Sequence, residues 1–254
     1  MLILLSPSKT HDLHAGGSTT DYSMPLFPKE AATLMKYLKK MKVGQLEEVM
    51  KISPKLAWQV QERIALWQPE FTFANTNQAL YLFKGEVYHG LDAATLPVEV
   101  VEYAQRHLRI LSGLYGVIRP LDRIQPHRLE METALRFGKY ESLYHFWREK
   151  ITRQILVDLK ESGSKLLINL ASQEYSSALE MKKLKAKIVA PQFLESRNDS
   201  YQMITVYAKK ARGMMARFIL EYQITCEEDL MGFDSGGYCF NANLSKPGVP
   251  VFTR

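Results

Sequence analysis

Three short apolar runs stand out along the chain, and each ends in a polar turn of small residues. They are Leu2–Leu5, Leu108–Leu111 and Lys165–Leu170. Apolar runs of four to eight residues bounded by turn residues predict buried β-strands. Where parallel strands share one end of a sheet, the loops that follow them meet at one crevice. We therefore expect the turns after these three strands to converge.

Helical spacing of apolar residues predicts the elements between the strands. One predicted helix begins at Pro28, and two short helices follow within Leu46–Ile64. Three further helices are predicted at Pro97–His107, Leu143–Leu159 and Tyr207–Tyr222. Further strands are predicted at Gln78–Phe83, in a hairpin of Ile188–Phe193 with Tyr201–Val206 across the turn Arg197–Asp199, within Gly232–Phe240 and as an extended tail at Val249–Phe252. Gly85 and Gly90 bracket a predicted polar turn around Tyr88 and His89. The pattern predicts an α/β (mixed α+β) fold, with residues 1–254 forming a single compact domain around a central mixed sheet.

The helical pair in this pattern resembles an inserted helix-hairpin-helix element at about residues 45–67. Ser53 suits the N-cap of the second helix and Pro54 its first position. Such a module offers turn and helix N-terminal amides to a nucleic-acid phosphate. Its usual turn is glycine, hydrophobic residue, glycine, whereas Lys51 and Ser53 occupy the glycine positions here. Nucleic-acid binding and an ordinary packed helix pair both remain open. The candidate DNA-binding residues are Lys51, Ser53, Lys55, Lys39 and Lys40.

The candidate crevice is formed by polar residues in the turns after the three strands, in the segment Arg119–Glu130 and in the later helix at Lys209–Arg212. Some of its arginines and carboxylates could equally form structural ion pairs, since carboxylates orient arginines as readily as they perform acid–base chemistry. No catalytic residue is assigned. The candidate crevice and anion-binding residues are Ser6, Lys9, Ser112, Gly113, Tyr115, Arg119, Asp122, Arg128, Glu130, Asn169, Ser172, Glu174, Lys209, Lys210 and Arg212.

Five blocks of sequence, in order over nearly the whole chain, resemble the peroxide stress protein YaaA family. They are SPSKT at Ser6–Thr10, FKGEVYHGLDA at Phe83–Ala93, SGLYGVIRPLD followed by IQPHRLEM within Ser112–Met131, INLASQEYS at Ile168–Ser176 and AKKARGMMARF at Ala208–Phe218. The resemblance implies resistance to hydrogen peroxide through limiting free intracellular iron and oxidative DNA damage. It also implies DNA binding through a helix-hairpin-helix and a positively charged cleft.

Composition places the chain among ordinary globular proteins. Its 254 residues are 46% hydrophobic and 24% charged, with a formal net charge of +6. That charge is compatible with nucleic acid or a phosphate-bearing ligand and proves neither. No run approaches the ~18 apolar residues of a membrane span, and MLILL is too short for a signal-peptide core. We expect no membrane partner and a cytoplasmic location.

Candidate redox and metal chemistry is sparse. Cys226 and Cys239 are the only cysteines and form no CxxC, so we expect reduced structural thiols. His11 and His14 have a spacing that could bind metal, but no third ligand is evident, and we predict no metal and no cofactor. The absence of a peroxidatic cysteine setting, a haem motif or clustered iron ligands argues against direct destruction of peroxide.

Three functional hypotheses follow. The first is a protective protein that binds DNA, duplex or distorted, without sequence preference. The second is an enzyme acting on a nucleotide or another phosphate-bearing small molecule, with Lys9, Arg119 and Arg128 as anion ligands and Glu130 or Glu174 as acid or base. The third is an iron-handling protein, which the scattered histidines support poorly.

Overall fold

The computed structural model describes residues 1–14, 16–198 and 200–254. The strands are β1 (Leu2–Leu5), β2 (Thr10–His11), β3 (Asn77–Gln78), β4 (Phe83–Lys84), β5 (Leu108–Ser112), β6 (Gly116–Ile118), β7 (Arg123–Ile124), β8 (Leu166–Asn169), β9 (Lys187–Val189), β10 (Gln192–Arg197), β11 (Ser200–Gln202), β12 (Cys239–Phe240) and β13 (Val251–Thr253). The helices are α1 (Pro28–Leu38), α2 (Val43–Met50), α3 (Pro54–Leu66), α4 (Ala79–Leu82), α5 (Glu86–Leu91), α6 (Val98–His107), α7 (Leu143–Glu161), α8 (Gln173–Ser176) and α9 (Thr205–Glu221). Among the described residues, no helix is both long and apolar enough to cross a membrane.

A five-stranded sheet with the order β6-β5-β1-β8-β9 forms the centre of the fold. Strands β5, β1, β8 and β9 run parallel, and β6 returns antiparallel to β5. All residues of β1 and β5 are buried, as expected for parallel strands whose sequences are nearly continuous apolar runs. The prediction of a mixed α/β fold with a central mixed sheet is confirmed. The carboxyl ends of β1, β5 and β8 lie at the same edge, which we call the carboxyl edge.

A second sheet, with the order β11-β10-β13-β12, corrects the predicted hairpin. The antiparallel partner of β11 is β10, whose Glu195 lies opposite Gln202, and β9 belongs to the central sheet instead. Val206 is helical, because α9 already begins at Thr205. Asn198 in the predicted turn has a left-handed backbone with φ 47°, whereas Asp199 lies outside the described residues.

The segment from Gln78 to Leu91 is more helical than predicted. The predicted strand holds helix α4, and the predicted polar turn around Tyr88 is helix α5. All four residues of α4 are buried, so the apolar run has no exposed face from which a period could be read. Helix α5 packs closely against α9 through two glycines. A Cβ at Gly90 would lie 2.0 Å from the carbonyl oxygen of Lys210, and one at Gly213 would lie 1.8 Å from that of Val87.

Candidate functional site

Hydrogen bonds join the ends of β1 and β8 at the carboxyl edge. The backbone N–H of Ser172 donates to Ser6 Oγ at 2.8 Å, and that of Leu170 donates to the Leu4 carbonyl oxygen at 2.9 Å. Asn169 Oδ1 accepts the N–H of Ala171 at 3.1 Å, which shapes the first step of the turn. The structure therefore brings Ser6, Asn169 and Ser172 together as the strand pattern predicts.

A close backbone contact places the segment Arg128–Glu130 against the turn after β5. A Cβ at Gly113 would lie 2.3 Å from the carbonyl oxygen of Leu129, so only glycine fits here without displacement of the backbone. The Trp147 indole N–H also donates to the Gly113 carbonyl oxygen, at 2.8 Å. Gly113 thus acts through close packing, and the segment it supports carries the charged groups.

A charged cluster of Lys9, Arg128, Glu130 and Glu174 lies at this edge. Glu130 Oε1 is 3.0 Å from Arg128 Nη2 and 3.3 Å from Lys9 Nζ. The side chain of Glu130 is 7% exposed and that of Lys9 is 60% exposed, so the pair joins a buried carboxylate to the surface. The N–H of Met131 donates to Glu174 Oε1 at 3.0 Å, which ties α8 to the same segment.

The protonation of Glu174 is set by opposing effects. Burial raises the pKa of the Glu174 carboxyl, and the charge of Glu132 adds to the rise. The N–H of Glu132, the Lys9 ammonium and the N–H of Met131 act in the opposite direction. A carboxyl with a raised pKa beside a lysine at strand ends is a candidate acid–base group.

Two tyrosines of this edge were not among the predicted site residues. The Tyr88 hydroxyl donates to the carbonyl oxygen of Ser6 at 3.1 Å, and burial raises its pKa. Burial also raises the pKa of Tyr175, and the charges of Glu174 and Glu130 raise it further. The only sequence signal for either was its place beside a candidate residue or within a block shared with the family.

Ser112 and Tyr115 are structural residues of the turn and do not line the crevice. Both are fully buried. Ser112 Oγ accepts the N–H groups of Leu114 and Tyr115 at 3.2 and 3.1 Å, which closes the turn. The Tyr115 hydroxyl accepts the Trp67 indole N–H at 3.1 Å. Their predicted place in the crevice is corrected, because the turn folds inward.

Arg119 and Asp122 lie away from the carboxyl edge. Ser112, at the carboxyl edge, is paired with Gly116, and the antiparallel β6 then runs back toward the opposite edge of the sheet. Arg119 follows Gly116 by three residues, which places its backbone about 10 Å along the strand from the carboxyl edge. Arg119 Nε donates to Asp122 Oδ1 at 3.1 Å, and Nη2 donates to the Met24 carbonyl oxygen at 2.8 Å. Burial raises the pKa of Asp122 against the lowering effect of Arg119. The expectation that Arg119 lines the same pocket as Lys9 is wrong.

Helices α2 and α3 are joined by a tight turn at Lys51–Ser53. Lys51 adopts a left-handed backbone with φ 52°, and the N–H of Ile52 donates to the Glu47 carbonyl oxygen at 3.2 Å to close α2. Ser53 caps α3 by accepting the N–H of Leu56 at 3.4 Å. Lys51, Ser53 and Lys55 are all exposed. The Lys55 N–H lies in the first turn of α3, where a helix provides no internal partner.

Lys39 and Lys40 lie far from this turn. Lys39 Nζ donates to the carbonyl oxygen of Trp67 at 2.7 Å, and Trp67 caps the opposite end of α3. The 13 residues of α3 separate the two ends by about 20 Å. Lys40 Nζ lies 5.8 Å from the ring centroid of Tyr37. The five predicted DNA-binding residues therefore form two separate groups.

The α9 cations lie beside helix α5. Lys209 and Lys210 are exposed, and Arg212 is partly buried, which lowers the pKa of its guanidinium. Lys210 lines a cavity of about 360 Å³ together with His89, Arg217 and acidic residues such as Asp92. The close contact of Gly90 with the Lys210 backbone fixes the position of this part of α9.

The candidate cations differ in whether a carboxylate compensates them. Lys9 and Arg128 pair with Glu130, and Arg119 pairs with Asp122. Across residues 1–14, 16–198 and 200–254, no carboxylate oxygen lies within 4.0 Å of the cationic groups of Lys51, Lys55, Lys209, Lys210 or Arg212. In the same ranges, no three His, Cys, Asp or Glu side chains are grouped so as to hold a metal ion.

Two comparisons cover nearly all of the chain. A family model described as peroxide stress protein YaaA matches residues 1–244. A UPF0246 protein of Shewanella amazonensis is 44% identical over 254 residues, an alignment that covers 100% of this chain and 99% of that protein. Because the family model matches most of the chain and the Shewanella protein aligns with all of it, the chain belongs to the peroxide stress protein YaaA family.

Proposed function

We propose that this protein acts in the cytoplasm in the peroxide stress response, where it protects DNA by binding it without sequence preference. Membership of the family supports the peroxide stress role. The single observation that supports DNA binding is the pair of exposed, uncompensated lysines, Lys51 and Lys55, beside the N-terminus of α3. Backbone N–H groups at a helix N-terminus and nearby ammonium groups together favour a phosphate.

The distribution of charge favours the hairpin over the carboxyl edge as the principal DNA contact. Lys9 and Arg128 share Glu130, and Glu174 lies close by, so the two cations of the cluster face two carboxyl groups. A phosphate bound there must compete with an ion pair that already exists. At the hairpin no such pair has to be broken, and lysine near a helix N-terminus is mildly unfavourable unless an anion is bound.

Binding of duplex DNA tests this proposal. We expect two 20-base-pair duplexes of unrelated sequence, labelled for fluorescence anisotropy, to bind with similar affinity between 50 and 200 mM salt. The logarithm of the binding constant should fall linearly with the logarithm of salt, by about 0.9 for each phosphate contacted. A folded protein that binds neither duplex at 50 mM salt contradicts the proposal.

The surroundings of Cys226 support protection rather than direct reduction of peroxide by this thiol. Cys226 Sγ donates to Asp229 Oδ2 at 3.0 Å, and this hydrogen bond raises the pKa of the thiol. The reactive form of cysteine is the thiolate, which a raised pKa disfavours. We expect cells in which both Cys226 and Cys239 are replaced by serine to keep their peroxide resistance.

We further propose that the protein limits free iron, as the resemblance of its sequence blocks implies. We expect cells lacking this protein to contain more chelatable iron after peroxide exposure, measured by electron paramagnetic resonance of the chelated ferric ion. An unchanged iron level together with lower survival would leave DNA protection as the whole of the role.

A second candidate function is an enzyme acting on a nucleotide or another phosphate-bearing small molecule at the carboxyl edge. The observation that favours it is Glu174, whose carboxyl has a raised pKa close to Lys9 and the Ser6–Ser172 turn pair. A ligand held there should raise the melting temperature of the protein in a screen of nucleoside mono-, di- and triphosphates, and Lys9→Met should abolish that rise. The compensated charge of the cluster places this candidate second.

A further inference from the structure

Trp58 is exposed on the surface of α3 in an unusual way for its residue type. Its side chain is 61% exposed, whereas Trp67 and Trp147 are 3% and 0% exposed. The two buried indoles pack edge-on against Phe71 and Phe146 within the core. Tryptophan is highly buried on average, because burial of its large apolar surface stabilises the fold. An indole exposed to solvent does not contribute this stabilisation. The core-facing residues of α3 are Ala57, Val60 and Ile64, which leaves Trp58 without a role in packing.

The surroundings of Trp58 are basic on the side of the hairpin turn. Lys55 precedes it by three residues on the same helix, so the two side chains are neighbours with about 5–6 Å between their Cβ atoms. Lys51, Ser53 and Gln59 are also exposed. Among the described residues, Lys51 and Lys55 make no ion pair. Glu62, which lies one helical turn after Trp58 on α3, is exposed and marks the end of the basic surface.

We propose that Trp58 stacks on an unpaired base of DNA whose backbone is held by Lys51 and Lys55. This inference rests on the proposed DNA binding and specifies which DNA is bound best. An indole offers a flat aromatic face, and every nucleobase has a matching one, so stacking recognises an accessible base without reading its identity. In an intact duplex both faces of each base are covered by its neighbours. Trp58 therefore contributes only where a base lacks its partner, as at a gap, a bulge or a single-stranded stretch.

The charge of this surface favours DNA over a protein partner. A protein interface along this face of α3 would also use Leu66, which lies two turns beyond Trp58 and is 76% exposed. The two uncompensated lysines lie at the Trp58 end, beside the hairpin turn, and Leu66 lies at the opposite end of the helix. A phosphate at the lysines places the attached base near Trp58 and away from Leu66. The two partners thus differ in which apolar side chain they require.

The test compares a fully paired duplex with the same duplex carrying a one-nucleotide gap or a bulged base. The variants are Trp58→Leu, which keeps apolar bulk and removes the aromatic face, Trp58→Phe, which retains an aromatic face, and Leu66→Ser as the matched control. We expect the parent to bind the gapped or bulged DNA at least about fivefold more tightly, since stacking of one base is worth roughly 5- to 150-fold in affinity. Trp58→Leu should remove this preference and leave duplex binding unchanged, whereas Trp58→Phe and Leu66→Ser should keep most of it.

Fluorescence gives an independent readout, because Trp58 is the exposed one of the three tryptophans. Gapped DNA should quench the indole emission more than paired duplex does, and Trp58→Leu should lose that extra quenching. The inference is overturned if the ratio of the affinity for gapped DNA to the affinity for paired duplex is the same in the parent and in Trp58→Leu. Binding of the paired duplex would still support the proposed function in that case. A change in oligomeric state caused by Trp58→Leu and by Leu66→Ser, with both DNA affinities unaltered, overturns it in favour of a protein interface. Failure to bind any of these DNA molecules contradicts the proposed function and this inference together.

Discussion

Lys9 Nζ lies 3.3 Å from Glu130 Oε1, although the two residues are far apart in the sequence. Lys9 follows β1, whereas Glu130 lies after β6 and β7. The contact exists because β1 and β5 are parallel neighbours whose carboxyl ends share an edge. Glu130 is also the counter-charge of Arg128, so one buried carboxylate joins two segments of the candidate site. Its removal should therefore be felt in stability as well as in any chemistry at this edge.

Glu130→Gln should destabilise the protein by about 3 kcal/mol, because it leaves the largely buried Arg128 without a counter-charge. Urea unfolding at pH 7 followed by circular dichroism measures this loss. Glu149→Gln is the matched control, since Glu149 is 82% exposed in its pair with Arg153 and should change the free energy of unfolding little. Similar small effects of the two substitutions would show that the Glu130 pair is solvated and structurally unimportant.

Buried histidines should make the stability fall in mild acid. Burial lowers the pKa of His127 to about 4, and burial together with the charge of His127 lowers that of His11 to about 2. The unfolded chain takes up these protons near pH 6.5, whereas the folded chain does not. The stability that these histidines contribute is therefore present well above pH 6.5 and is lost as the pH falls toward 4, with a slope that approaches about 1.4 kcal/mol per pH unit for each histidine.

The raised pKa values of Glu174 and Asp122 act in the opposite direction. Their stabilising effect is present below the unfolded carboxyl pKa and is lost as the pH rises through the folded pKa. A comparison with His127→Gln isolates the histidine, because this substitution leaves both carboxyls in place. Urea unfolding at pH 7.0, 6.0 and 5.0 should show a smaller loss of stability for the variant, by about 0.7 kcal/mol between pH 7 and 6 and by about 1.2 kcal/mol between pH 6 and 5. Equal slopes would mean that His127 accepts its proton in the folded state.

Gly213→Ala should destabilise the contact between α5 and α9. The new methyl group would lie 1.8 Å from the Val87 carbonyl oxygen, and the helices must separate to admit it. We expect a loss of at least about 2 kcal/mol despite the better helix propensity of alanine. Gly44→Ala in α2 is the control, since a Cβ there meets nothing within 4 Å and should leave stability unchanged or raise it by up to about 1 kcal/mol. Thermal unfolding of the two variants distinguishes the outcomes, and equal melting temperatures would contradict the close contact.

The central strands could be predicted because their signal is local. Strands β1 and β8 are uninterrupted apolar runs that end at turn residues, so neither their position nor their burial depends on knowing a distant contact. Their shared edge then follows from parallel pairing. The grouping of Ser6 with Ser172 and of Lys9 with the Arg128–Glu130 segment was accessible from the sequence for this reason.

The misplaced residues depend on contacts that no local pattern encodes. Arg119 leaves the carboxyl edge because the chain reverses between Ser112 and Gly116, whose φ is 70°, and β6 then runs antiparallel to β5 away from that edge. Tyr115 lies in the core, where its hydroxyl accepts a hydrogen bond from Trp67 at the end of α3. Lys39 is separated from Lys51 by the length of α3, because its ammonium group binds the Trp67 carbonyl oxygen at the end of α3 opposite the hairpin turn. Helices as short as α4 and α5 show too few residues for their period to be read.

The most direct test of the proposed function is the salt dependence of duplex binding by the double variant Lys51→Glu, Lys55→Glu. Both residues are exposed, so the variant should fold like the parent. The control is Lys160→Glu with Lys165→Glu, two exposed lysines remote from the hairpin in sequence, with the same change in net charge. We predict that the hairpin variant binds all sequences more weakly and that its salt slope is smaller by about 1.8, which corresponds to two lost phosphate contacts. The control should keep the parental slope. A folded hairpin variant that binds DNA with the parental affinity and slope would contradict the account and leave α2 and α3 as a structural helix pair.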